Sequence, residues 1–209
     1  LGTLLDMSRL EAGGLVPEPR EFPLAEVLEP LVAQFRVLAR ERGLRLRFVP
    51  TRTWVRSDPQ LLRRVLQNFL ANALRYTVQG GALIGVRRAG GTLRIEVHDT
   101  GPGIEPAQRE LIFEEFRRGG EGHGQGLGLG LAIARRIAQL LDTDIGLSSQ
   151  MRRGSCFSMA VPRVQIGLQQ RQPTRGLQGL RVLIVDNESV AGTALATVFR
   201  AKPSRRAIS

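Results

Sequence analysis

Leu93-Arg-Ile-Glu-Val-His-Asp99 runs straight into Thr100-Gly101-Pro102-Gly103-Ile104. The first seven residues alternate apolar and polar side chains, the period of a half-buried strand. Asp99 therefore ends a strand at a sharp turn. Glycine reaches positive φ without a Cβ penalty and admits a ligand close to the backbone, while Pro102 stiffens the turn between Gly101 and Gly103. A buried carboxylate is costly unless paired, and an exocyclic amine such as that of adenine is a fitting partner. The plainer role for Asp99 is an acid that caps the turn.

Downstream, Gly124-Gln-Gly126-Leu-Gly128-Leu129-Gly130-Leu131-Ala-Ile133 leads into an apolar-periodic helix expected to end near Leu141. Bare backbone amides before a helix start make a seat for phosphate. The alternative is a hinge without ligand. Upstream, Asn68-Phe-Leu-Ala-Asn72-Ala-Leu-Arg75-Tyr76-Thr77 falls on a helix expected from about Pro59 to Tyr76. Asp58 as N-cap and Pro59 just inside are its start signal. Leu61, Leu62, Val65, Leu66, Phe69, Leu70 and Ala73 form its core face. Asn68 and Asn72 are i, i+4 neighbours on one side. Amide oxygens there can complete a Mg²⁺ shell around a triphosphate, and amide nitrogens can donate to phosphate oxygens. Taken alone, the pair reads first as two exposed or capping asparagines.

The three motifs in this order resemble the ATP-binding domain of sensor histidine kinases, a superfamily shared with gyrase, a heat-shock chaperone and mismatch-repair ATPases. The resemblance covers roughly residues 1 to 163. It implies ATP and Mg²⁺ as cofactors, with Asn72 as a metal ligand and Asn68 close to the phosphates or the metal. Arg75 would meet the phosphates, and Tyr76 would pack against the nucleotide or simply on the helix. Asp99 would take the adenine amine, Gly101 and Gly103 would permit the turn, and Ile104 would line the base. Gly126, Gly128, Leu129, Gly130 and Leu131 would form a lid offering amides to the triphosphate. Ser155 resembles the hydroxyl position that assists adenine recognition. Phe113 and Phe116 read equally as lid anchors and as core packing.

Composition narrows the alternatives. With 42% apolar and 23% charged residues, the chain has the balance of a soluble globular protein. Its apolar runs are too short to span a bilayer, and no secretory signal opens it. One cysteine, Cys156, excludes an internal disulfide. With His98 and His123 as the two histidines, zinc-type ligand clusters are not expected. The formal charge of +11 raises nucleic-acid or membrane binding. However, all the basic residues but Lys202 are arginine, spread along the whole chain, and gene composition is the blander cause. That lone lysine also removes any phosphate loop ending in Gly-Lys-Ser/Thr, so a nucleotide site must use amides and arginine.

The remaining chain supplies the frame. Residues 1–13 carry a helical apolar stripe and resemble the end of a dimerisation hairpin. Pro17, Pro19 and Pro23 mark 14–23 as an extended linker. A helix is expected over Leu24 to Arg42, kinked or started at Pro30, with short strands at Leu44–Val49 and Trp54–Ser57. Ala82–Arg88 and Thr92–Asp99 form a hairpin about Gly90-Gly91. A short helix holds Phe113-Glu-Glu-Phe116, and the polar run Arg117 to Gln125 is expected to be mobile. Strands Ile145–Ser149 and Ser155–Val161 close a catalytic domain over 24–163. The fold class is α/β: a two-layer sandwich of the Bergerat type, with helices on one face of a mixed sheet. After a linker over 164–179, Leu180-Arg-Val-Leu-Ile-Val-Asp-Asn-Glu188 resembles the start of a response-regulator receiver over 180–209, with Asn187 in place of the second acid.

Relatives that hydrolyse ATP carry a water-activating glutamate where Asn68 stands. The implied activity is therefore phosphoryl transfer to a histidine on a dimerisation hairpin, within a hybrid sensor kinase of a bacterial two-component system. Neither His98 nor His123 has the setting of that acceptor. The partners implied are the hairpin of the parent homodimer and a response-regulator receiver, with no nucleic acid. The chain opens at Leu1 rather than Met and reads as part of something longer, cytoplasmic here, with any membrane segment elsewhere. The rival readings are a conformational ATPase of the same superfamily, a basic nucleic-acid-binding module and an inactive kinase remnant.

Overall fold

Strands with one apolar face and helices with one apolar stripe bury both by packing face to face. In the computed structural model, which describes residues 14–115 and 128–164, this is the arrangement found. The expected hairpin remnant, the polar run with Phe116, His123 and Gly126, and the receiver start lie outside the described residues.

The elements run β1 (Arg20–Pro23), α1 (Ala25–Glu41), β2 (Arg45–Phe48), β3 (Trp54–Ser57), α2 (Pro59–Tyr76), β4 (Gly81–Ala89), β5 (Thr92–Asp99), α3 (Gly130–Leu140), β6 (Ile145–Gln150) and β7 (Gly154–Val164). The sheet has seven strands in the order β1-β3-β7-β5-β4-β2, with β6 also paired to β7. β2 is parallel to β4 and the other pairs are antiparallel, so the sheet is mixed as expected. The β4–β5 register pairs Ala89 with Thr92 and leaves Gly90-Gly91 as the hairpin loop.

Three details differ from expectation. The Pro-rich segment contributes an edge strand, β1, whose Phe22 is fully buried opposite Val55. Instead of a short helix around Phe113 there are two 3₁₀ turns, Pro106–Gln108 and Leu111–Phe113. Helix α1 continues through Pro30, which lies on its exposed side, where water can serve the carbonyl that loses its intrahelical donor.

Inward from the sheet point Leu93, Ile95 and Val97 of β5 and Phe157, Met159 and Val161 of β7, all buried. They meet the apolar face of α2, where Leu62, Val65, Leu66, Phe69 and Leu70 are buried as the spacing predicts. Phe69 and Phe157 stack at 5.5 Å between ring centroids. Each such side chain, fully buried, contributes roughly 2 kcal/mol. The opposite face of β5 carries Arg94, Glu96 and His98.

The start of α2 is fixed by Asp58. Its Oδ1 accepts from the N–H groups of Gln60 (2.8 Å) and Leu61 (3.0 Å), and its Oδ2 accepts from the N–H of Glu18 (2.9 Å). One buried side chain thus caps the helix and ties the incoming strand segment to it.

Candidate functional site

Helix α2 runs beneath the ends of β5 and β7, and its last two turns form one wall of a cavity of about 380 Å³. Asn68, Asn72, Arg75 and Tyr76 lie on that wall, together with Ala71. Asp99 stands at the end of β5, with Pro102, Gly103 and Ile104 of the turn beside it. Gly128, Leu129, Gly130 and Leu131 close the cavity from the start of α3, and Ser155 reaches it from β7. Twelve of the fourteen residues proposed for nucleotide contact therefore share one cavity.

Gly101 is not on the cavity wall. Its N–H donates to Asp99 Oδ1 at 2.8 Å, so it holds the carboxylate from behind. The same Oδ1 accepts from the Ser155 N–H at 3.1 Å. Among the described residues, both hydrogen bonds to the carboxylate fall on Oδ1. Burial raises the Asp99 pKa above its ordinary value, opposed by the Gly101 and Ser155 amides and by His98. On the outer face, burial and then the carboxylates of Glu96 and Asp99 push the Cys156 thiol up to about 11.

The turn is fastened by Ser149. Its Oγ accepts from the Ile104 N–H (2.8 Å), donates to the Gly154 carbonyl (3.1 Å) and lies 3.0 Å from Ser155 Oγ. The Ser155 hydroxyl is thus engaged with Ser149, while its backbone amide serves Asp99. Gly103 has φ +79°, and a Cβ there would fall 2.3 Å from the Gln150 carbonyl oxygen; the turn excludes any larger residue.

At the other end of the cavity, α3 begins without a capping side chain and without an acid in its first turn. Leu129 at the N-cap offers its first amides no side-chain acceptor, and the helix aims the positive end of its dipole at the cavity. Asn68 faces this helix start. Its Nδ2 donates to the Arg64 carbonyl at 3.0 Å, and a Cβ on Gly130 would lie 2.8 Å from its Oδ1. The close approach of α3 to Asn68 accounts for a glycine at 130. The Arg75 guanidinium lies 5.7 Å from the Tyr76 ring centroid, and Tyr76 is exposed.

Cavity residues not foreseen are Ala71, Pro102, Gln108, Ile112 and Phe157. Phe157 was legible, because it lies two residues from Ser155 on the same face of a strand. Gln108 and Ile112 sit in 3₁₀ turns with no period to read. Phe113 meets Phe157 edge-on at 6.4 Å, and the Arg135 guanidinium lies 5.2 Å from its ring centroid, so packing describes its contacts.

The family described as histidine kinase-, DNA gyrase B-, and HSP90-like ATPase matches residues 57–165. The sensor histidine kinase RcsC of Escherichia coli is 34% identical over 197 residues, covering 91% of this chain and 21% of its own length. The chain thus spans about a fifth of such relatives. Among solved structures, full-length ShkA in complex with AMPPNP superposes with a TM-score of 0.69 at 28% identity, over 78% of this chain and 35% of that one. The Acinetobacter baumannii histidine kinase AdeS gives 0.65 at 25% identity, over 78% and 77%. Among the described residues, no helix is long and apolar enough to cross a membrane. The family match covers more than half of the chain, which belongs to the histidine kinase-, DNA gyrase B-, and HSP90-like ATPases.

Proposed function

We propose that this chain is the ATP-binding catalytic part of a hybrid sensor histidine kinase, transferring the γ-phosphoryl group of ATP to a histidine on the dimerisation hairpin of its parent. The observation that carries the reading is Asp99. Its Oδ1 is pinned by two backbone amides while the residue lines the cavity, across from the uncapped start of α3. An adenine amine at Asp99 and phosphates at the α3 amides complement both ends. Ile104 and Ile112 supply apolar walls for the base.

Asn68 and Asn72, a helical turn apart on the cavity wall, fit Mg²⁺, which favours oxygen ligands and keeps part of its water shell. The Asn68 amide nitrogen is already bonded to Arg64, which leaves its oxygen as the acceptor. When bound, the ion neutralises charge on the triphosphate. Arg75 adds a positive charge on the same wall, and the α3 amides add partial ones.

Transfer is favoured over hydrolysis by what the cavity lacks. Among the described residues that line it, Asp99 is the one carboxylate, and it stands at the base end. Among the described residues, no side-chain base lines the end of the cavity at the start of α3. The chain then works by orienting the phosphoryl group for an acceptor brought from outside. A receiver domain would take the phosphoryl group onward.

The test is calorimetric titration with a non-hydrolysable ATP analogue, with and without Mg²⁺, on the wild-type chain and on Asp99→Asn. The expected result is Mg²⁺-aided binding, weakened about 10- to 100-fold in the variant, the range for a lost hydrogen bond to a charged group. Transfer from ATP to a supplied hairpin is the second step. Absence of binding by a folded wild-type chain would overturn the reading in favour of an inactive remnant. Steady ATP turnover without phosphoprotein would point to the conformational ATPase.

A further inference from the structure

The sheet's outer face carries a second constellation that nucleotide chemistry does not use. Glu96 and His98 are two residues apart on β5 and so point the same way, and Cys156 on β7 is the cross-strand partner of His98. His98 Nε2 lies 3.0 Å from Glu96 Oε2 and 3.5 Å from Cys156 Sγ. The three ligand atoms all fall within 4.8 Å of one another.

Both contacts fall on the same ring nitrogen. A nucleophilic relay needs the thiol on one imidazole nitrogen and the carboxylate on the other, so this is not a Cys-His-Glu triad. A single nitrogen also cannot serve both neighbours well, since it either donates or accepts. Three electron-rich atoms converging on one point suit a cation between them. For the sulfur–nitrogen pair the spacing agrees, since zinc–sulfur and zinc–nitrogen bonds of about 2.3 and 2.05 Å at a tetrahedral angle set the two atoms about 3.6 Å apart; the Glu96 carboxylate has to shift outward to join them.

We infer that Glu96, His98 and Cys156 form a binding site for a thiophilic divalent transition metal of the zinc class, with one coordination position open to solvent. Thiolate and imidazole select such ions over Mg²⁺ and Ca²⁺, which take oxygen ligands. The ligand set is held on two hydrogen-bonded strands, so binding demands side-chain adjustment without refolding. Arg87, 3.7 Å from Glu96 and largely exposed, is the charge that an arriving cation displaces, and it is free to swing into water. Two histidines and one cysteine raise no expectation of a zinc-type cluster; the pairing of β5 with β7, which the spacing along the chain does not show, is what brings Glu96, His98 and Cys156 together. The site is independent of the kinase reading, because none of its ligands lines the nucleotide cavity.

The test is titration of the full, reduced chain with Co²⁺, followed by absorption, then displacement by Zn²⁺. The site predicts one saturable equivalent with a thiolate-to-cobalt charge-transfer band and tetrahedral d–d bands, both removed by Zn²⁺. Cys156→Ser should abolish the charge-transfer band, and His98→Gln and Glu96→Gln should each weaken binding about tenfold or more. All three side chains face outward, and unchanged thermal unfolding of the metal-free variants checks that the fold is kept. Absence of a charge-transfer band in the wild type, or equal affinity in Cys156→Ser, would overturn the assignment.

Discussion

Asp99 is held in two opposed ways: burial disfavours its charge, and two backbone amides favour it. Burial is the larger influence, so its folded-state pKa lies above the ordinary 3.8. The sign follows from linkage. A carboxyl with a raised folded pKa contributes stability that is full below the unfolded pKa and is lost as pH rises through the folded one. Asp99→Asn keeps an oxygen to accept the Gly101 and Ser155 amides and removes the ionisation. The wild type should therefore lose stability relative to Asp99→Asn as pH rises from below 3.8 through the raised pKa, and nucleotide binding should favour the wild type. Thermal unfolding of the two proteins across that range measures the difference. A wild-type advantage that grew with pH would contradict the burial argument. A residue that costs stability and serves binding is what a functional site, rather than a turn cap, requires.

At the scale of elements, legibility tracked periodicity. Helix α2 was readable from end to end because its cap, its proline and its apolar stripe agree. The β4–β5 hairpin was readable because alternation on both sides meets at Gly90-Gly91. The segment from Pro106 to Phe113 was not, since its apolar residues could complete a helical turn that the fold leaves as 3₁₀. Edge strand β1 was hidden by its flanking prolines, and only its pairing with β3 reveals it. Asp58 connects these cases, because it caps α2 and also takes the Glu18 amide just ahead of β1. Asp58→Ala removes both functions. A cap is worth about 1 kcal/mol and a further half-buried amide bond about as much. The expected loss is about 2 kcal/mol, or a melting temperature lower by roughly 4–8 °C for a domain of this size. Asp58→Asn, which keeps an oxygen for the cap, should recover about half. A loss in Asp58→Ala below a few tenths of a kcal/mol would mean that solvent replaces the cap without penalty.

At the scale of the whole domain, the cavity proposed for nucleotide joins pieces that are remote in sequence: α2, the end of β5, the start of α3 and β7. Their separate motifs were legible, but their convergence depends on β7 pairing with β5, a contact between residues such as His98 and Cys156 far apart in the chain. A ligand that touches every one of these elements binds the folded state and has nothing to bind once β5 and β7 part. Its binding free energy then adds to the stability of the entire sheet-and-helix unit. At a hundred times its dissociation constant, a nucleotide adds about 2.7 kcal/mol. That corresponds to a rise of roughly 5–10 °C in the melting temperature. Differential scanning calorimetry with the Mg²⁺-bound ATP analogue should show one transition moving as a whole, with the shift growing logarithmically with ligand concentration. Asp99→Asn, binding about 10- to 100-fold more weakly, should gain only about 0.4–1.4 kcal/mol at the same concentrations. If only a minor, low-temperature portion of the transition moved, the nucleotide would be stabilising a local segment around α3 rather than the joined unit, and the placement of the base at Asp99 would fail with it.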